Sequence, residues 1–181
     1  MKNILVLTGS PRKGGNSDLL ADAFIKGAEE AGHKVSKFAS AEKKIAGCRA
    51  CDKCWTTGTA CIFPDDFREL APLVEEADTL VIVSPVYWFT MSAQIKAAID
   101  RLYAYNSPNR KKELKLTETV LLSCAADEPS VFKGLVETYK SLLAYTGWKD
   151  AGIITVPEVS DKGDILKTDA LAKAEELGKS I

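Results

Sequence analysis

Thr8-Gly-Ser-Pro-Arg-Lys-Gly-Gly-Asn-Ser17 lies between a short apolar run, Ile4-Leu-Val-Leu7, and a segment whose apolar residues Leu19, Leu20, Ala23, Phe24, Gly27 and Ala31 recur at helical spacing. The order is strand, loop, helix. Gly9, Gly14 and Gly15 permit backbone conformations closed to other residues, and Asn16 is a favourable N-cap, so backbone N–H groups can face into the loop. Such a loop suits an anion.

The absent features narrow the choice of anion. A nucleoside-triphosphate loop requires Lys and Ser/Thr directly after its last glycine, whereas Gly14 is followed by Gly15 and Asn16. A dinucleotide fingerprint requires Gly-x-Gly-x-x-Gly, and Gly9-Ser10-Pro11 breaks it at the third position. What remains is a loop whose Ser10, Asn16 and Ser17 can hydrogen-bond a terminal monophosphate while Arg12 or Lys13 balances its charge, as for a mononucleotide such as FMN. The alternative is a Gly/Pro-rich turn before a capped helix, with no ligand.

Length and composition suit one domain spanning residues 1–181: 181 residues with 46% hydrophobic content can bury one substantial core. Twenty-four basic and 25 acidic residues give a net charge of −1, which argues against nucleic acid or an anionic membrane as a bulk electrostatic partner. The N-terminus runs directly into an apolar strand without a signal-peptide pattern, and no apolar run reaches transmembrane length, so a cytoplasmic location is expected. In that reducing setting five cysteines suggest metal or redox chemistry rather than structural disulfides.

Four further strands are expected, at Lys34–Phe38, Thr79–Ser84, Thr119–Cys124 and Gly152–Val156. Residues 39–63 form a Cys-rich excursion from the sheet. Helices are expected around Phe67, Leu70, Ala71 and Val74, with Pro72 kinking or shortening the first; from Met91 through Leu102; from Phe132 through Leu143; and from Leu171 to Ile181. Strands alternating with helices predict an α/β fold with a doubly wound, five-stranded parallel sheet of order 2-1-3-4-5. That order places the first loop beside Pro85-Val86-Tyr87-Trp88-Phe89 at the topological switch point, with Ser123-Cys124-Ala125-Ala126-Asp127 next along the same edge. The three aromatics either flank a ligand or are simply core. Cys124 reads as a small buried hydrophobe rather than a catalytic thiol. Asp100 and Arg101 read as a local pair, a subunit contact or part of a solvated helix face. His33, the only histidine, reads as a surface residue near a helix end, and without a Ser-His-Asp set a hydrolase is disfavoured.

Cys48-x2-Cys51-x2-Cys54-x6-Cys61 gathers four thiols within fourteen residues. The first three can converge on one polynuclear centre, and four thiolates suit a 4Fe-4S cluster. Structural zinc usually uses two knuckles across a longer loop. Zinc, a redox disulfide and an empty, vestigial cluster remain open alternatives.

The first loop, the Cys-x2-Cys-x2-Cys run, and Pro85-Val-Tyr-Trp88 followed by Lys96 and Asp100-Arg101 together resemble the NAD(P)H-dependent FMN reductases of the flavodoxin-like superfamily. Within that group the chain is most similar to the iron-sulfur flavoproteins, along essentially its whole length. The resemblance implies that Ser10, Arg12, Asn16 and Ser17 hold the FMN phosphate, that Pro85 to Phe89 line the isoalloxazine, and that Ser123 to Asp127 close its other side. It implies a 4Fe-4S cluster on Cys48, Cys51, Cys54 and Cys61, and a homodimer or homotetramer. The expected activity is oxidation of NAD(P)H through FMN, with electrons passed to a small acceptor such as a quinone or to a redox protein. No catalytic side chain is required, because the flavin supplies the chemistry. The alternative is a non-enzymatic FMN/Fe-S electron carrier.

Overall fold

The computed structural model describes residues 1–181. Its strands are β1 (Asn3–Thr8), β2 (Lys34–Ala39), β3 (Thr79–Tyr87), β4 (Thr90–Met91), β5 (Glu118–Cys124) and β6 (Lys149–Val156). Its α-helices are α1 (Asn16–Glu30), α2 (Lys53–Thr57), α3 (Phe67–Glu76), α4 (Ala93–Asp100), α5 (Lys133–Thr146) and α6 (Ala170–Ser180). The sheet follows the order β2-β1-β3-β5-β6, all parallel, and β4 is attached to β3.

Burial on both faces explains the unbroken apolar strands. In β1, Leu5 and Leu7 join one core with Phe67, Leu70 and Val74 of α3, Ile95 and Ile99 of α4, and Leu135 and Tyr139 of α5. Ile4 and Val6 point the other way, into a second core with Leu20, Ala21 and Phe24 of α1 and Ala170 and Ala174 of α6. Leu80 and Ile82 of β3 divide from Val81 and Val83 in the same manner. Each such side chain contributes roughly 1.5–3 kcal/mol on burial, so polar alternation is lost where both faces are covered. Two glycines let α1 and α6 meet closely: a Cβ on Gly27 would lie 1.9 Å from the Glu175 carbonyl oxygen, and one on Gly178 2.2 Å from that of Phe24.

Three expectations need correction. The sheet has six strands rather than five, because Val86 and Tyr87 pair antiparallel with Met91 and Thr90 in a tight hairpin too short to leave a periodic signal. Met91 therefore belongs to a strand, the following α-helix starts at Ala93, and Arg101–Asn106 continues it as 3-10 turns. Helix α3 runs through Pro72 to Glu76. The proline lies on the exposed face, as does Arg68, whose carbonyl loses its helical partner there and can turn to water.

Candidate functional site

At the carboxyl edge of the sheet, between β1 and β3 where the strand order reverses, lies a cleft of about 150 Å³. Ser10, Arg12, Gly15, Asn16 and Ser17 line it from the first loop, Pro85, Val86 and Tyr87 from the end of β3, and Cys124, Ala125 and Ala126 from the end of β5. Val159 and Ser160, beyond β6, complete the wall.

Hydrogen bonds fix the loop. The Gly9 N–H donates to the Val83 carbonyl at 2.9 Å and the Gly15 N–H to that of Arg12 at 3.0 Å. The Gly14 N–H donates to the Asp18 carboxylate at 2.8 Å. Burial opposes the Asp18 charge, but hydrogen bonds from Lys37 and Gly14 hold its carboxyl below the usual range. The backbone N–H groups of Ser10, Asn16 and Ser17 have no acceptor in the protein. Those of Asn16 and Ser17 open α1, where the helix dipole favours an anion. Arg12 reaches the cleft with its Nη1 3.3 Å from the Ser160 carbonyl oxygen.

Asn16 has a different task from capping. Gly15 occupies the N-cap position and no side chain caps the helix, because the Asn16 amide turns toward the loop after β6. Its Nδ2 donates to the carbonyls of Val159 (3.2 Å) and Asp161 (2.9 Å), and its Oδ1 accepts from the N–H groups of Gly163 (3.0 Å) and Ile165 (3.3 Å). The amide is fully used, leaving only the backbone N–H of Asn16 for a ligand. Lys13 is turned out of the cleft and pairs with Glu42 at 2.9 Å. In its place Lys162 reaches the loop, its Nζ donating to the Lys13 carbonyl at 3.0 Å.

Trp88 and Phe89 are neither core nor part of the cleft lining. They form the two-residue turn between β3 and β4, where Trp88 is 92% exposed and both have positive φ, 49° and 68°. Asn-Gly is the usual choice for such a turn, and two aromatics there are strained. Ser123 is buried between strands and donates to the Ser84 carbonyl at 2.7 Å, while Asp127 is exposed outside the lining. Cys124 is buried, and burial pushes its thiol pKa up to about 12 despite a hydrogen bond with Ser17. Of the sequence-expected residues, Ser10, Arg12, Asn16, Ser17, Pro85, Val86, Tyr87, Cys124 and Ala125 are brought together. Val159, Ser160 and Lys162 were not anticipated. They reach the first loop across nearly the whole chain, and only the spare amide of Asn16 hinted at a distant partner.

A second concavity, of about 20 Å³, lies beyond the carboxyl end of α4. All four clustered cysteines, Cys48, Cys51, Cys54 and Cys61, contribute to its lining. Ala50 and Asp52 have positive φ, 49° and 51°, folding the chain tightly on either side of Cys51. Burial pushes the Cys54 thiol up, and the neighbouring Cys61 and Cys48 thiols add to the effect. No three potential ligands are grouped closely enough to hold a single metal ion. Arg101, expected on a solvated face or at a subunit contact, is 3% exposed and lines this concavity. Asp100 instead pairs with Lys96. His33 accepts a hydrogen bond from the Lys2 N–H at its Nδ1, 3.0 Å away. No helix is long and apolar enough to cross a membrane.

Over residues 2–159 the chain matches the family described as NADPH-dependent FMN reductase. An iron-sulfur flavoprotein of Archaeoglobus fulgidus is 43% identical over 105 residues, covering 58% of this chain and 47% of that protein. The chain spans about half the length of the iron-sulfur flavoproteins it matches. A Bacillus subtilis protein provisionally named an NAD(P)H-dependent FMN-containing oxidoreductase is 26% identical over 183 residues, covering 97% of this chain and 96% of that one. In fold, the chain is similar to an NAD(P)H:quinone oxidoreductase from Methanothermobacter marburgensis, with a TM-score of 0.78, 20% identity and coverage of 99% and 96%.

Proposed function

Because the chain belongs to the NADPH-dependent FMN reductase family, we propose that it is an oxidoreductase that binds FMN in the sheet-edge cleft and passes electrons from a nicotinamide donor to an acceptor such as a quinone. The observation that carries this reading is that Ser10, Asn16 and Ser17, whose backbone N–H groups have no acceptor in the protein, line one cleft together with Pro85–Tyr87 and Cys124–Ala126. The donor set suits a phosphate monoester: backbone N–H groups, the hydroxyls of Ser10 and Ser17, and the Arg12 guanidinium. Bound FMN would supply the redox chemistry, accepting a hydride equivalent and releasing electrons. The protein's part is to position the cofactor. The hydroxyl of Ser92 and the buried Ser84 and Ser123 keep the strand ends in register, and the Trp88-Phe89 turn stands at the rim beside Tyr87.

The four cysteines around one concavity are the donors expected for a 4Fe-4S cluster. Alternating handedness around Cys51 is typical of backbone folded about an anionic centre. The cavity has room for about one water, so binding such a cluster requires the 48–61 segment to spread. Cys48, Cys51, Cys54 and Cys61 would hold it, and it would supply a one-electron outlet.

Protein purified without oxygen is the test. Flavin absorption bands and steady-state oxidation of NADH or NADPH with an added quinone are expected. Absence of flavin binding overturns the cleft assignment. Flavin without donor oxidation leaves a carrier rather than a reductase. Iron and sulfide assays before and after reconstitution decide the cluster independently.

A further inference from the structure

Arg101 is a buried cation with too few partners. It follows α4, and its side chain is 2% exposed. Its Nη1 donates to the Asp65 carboxylate at 2.5 Å and to the Ala46 carbonyl at 3.2 Å. Its Nε and Nη2 are buried and have no hydrogen-bond partner. The guanidinium lies 4.5 Å from the centre of the Phe67 ring and 6.0 Å from that of Phe63. Unmatched donors on a buried charge are costly, and Asp65 alone requires only one edge of the fork. The same Arg101 shares its cavity with Cys48, Cys51, Cys54 and Cys61.

We propose that Arg101 is a positioning and tuning residue for an anionic iron-sulfur centre on these cysteines, its free Nε–H and Nη2–H groups donating to thiolate or sulfide sulfur. This rests on the cluster reading above. A 4Fe-4S centre with four thiolates is a net anion in its oxidised state and gains a further negative charge when one electron enters. A buried guanidinium therefore stabilises the reduced state more than the oxidised one and raises the reduction potential. Hydrogen bonds to sulfur act in the same direction. Asp65 locks the other edge of the fork and is itself fixed by the N–H groups of Ala46 and Phe67. That arrangement ties Arg101 through Nη1 while leaving two donors free.

The test uses the full chain with FMN, reconstituted without oxygen from ferrous iron and sulfide. Wild type, Arg101→Gln and Arg101→Lys are compared for the cluster's midpoint potential and for the rate of iron loss to a chelator. Circular dichroism and flavin retention report on folding. Folded Arg101→Gln is expected to show a lower potential and iron loss faster by roughly tenfold or more. Equal potential and equal retention in that variant would reduce Arg101 to the partner of Asp65 and overturn the proposal. If Arg101→Gln does not fold, Arg101→Lys decides. It keeps the charge but lacks the planar fork and its two free donors, so the potential is partly retained while iron loss should still quicken, and an iron-loss rate equal to wild type overturns the proposal. Wild type that takes up no iron overturns the cluster reading, and this inference with it, whatever the variants do.

Discussion

The Ser92 hydroxyl donates to the Gly9 carbonyl at 2.7 Å, joining the entry of α4 to the first residue of the cleft loop. The Ser92 N–H in turn donates to the Ser84 hydroxyl at 2.9 Å. Helix α4 thus starts at the cleft and ends where Arg101 lines the cysteine concavity. Its eight residues span about 12 Å, so one short rigid element links the two sites.

Gly9→Ala should break this junction. A Cβ there would lie 2.5 Å from Ser92 Oγ and 2.7 Å from Ile95 Cβ. Overpacking of this kind costs about 1–3 kcal/mol. Urea unfolding should show that loss, and fluorescence titration should show weaker FMN binding. Wild-type values for both would refute the close packing.

Asn16→Ala and Ser10→Ala should separate two roles that the sequence merged. The Asn16 amide makes four hydrogen bonds to residues 159–165, so its removal should cost stability by about 2 kcal/mol or more, with flavin affinity falling as a consequence. Ser10→Ala should weaken flavin binding with little change in the urea midpoint. The assignment fails if Asn16→Ala leaves unfolding untouched.

Replacing Trp88-Phe89 by Asn-Gly should relieve the left-handed strain in the β3–β4 turn. Left-handed backbone costs roughly 1–2 kcal/mol per ordinary residue, so the variant should be at least as stable as wild type. Turnover with the quinone acceptor should fall if the aromatic turn guards the flavin face. A variant less stable by urea unfolding would mean that the aromatics make compensating contacts.

Acid should destabilise the fold through its depressed carboxyls. Burial opposes ionisation of Asp65, but hydrogen bonds from Arg101, Ala46 and Phe67 hold its pKa below the usual carboxylate range. Glu118 is likewise lowered, burial being outweighed by Lys2 and Thr79. A folded pKa below the unfolded one means stability present above about pH 4 and lost as pH falls through the folded value. Thermal midpoints should drop between about pH 5 and pH 3, and Asp65→Asn should flatten that slope. An equally steep slope in the variant would remove Asp65 from the account.

The first loop, the continuous apolar strands and the Cys48–Cys61 spacing were legible in the residues alone, because they rest on local chain preferences and on the burial of both sheet faces. That was enough to place Ser10, Ser17, Pro85 and Cys124 at one edge. Tertiary structure alone decided what Asn16 and Lys13 do, since each side chain is claimed by groups distant in sequence: the loop after β6 and Glu42. It also decided that Trp88 faces solvent and that Arg101 is buried. Exposure and charge pairing depend on which surfaces the fold brings together, and neither helical periodicity nor residue type records that for a short hairpin or for a residue just past the end of an α-helix.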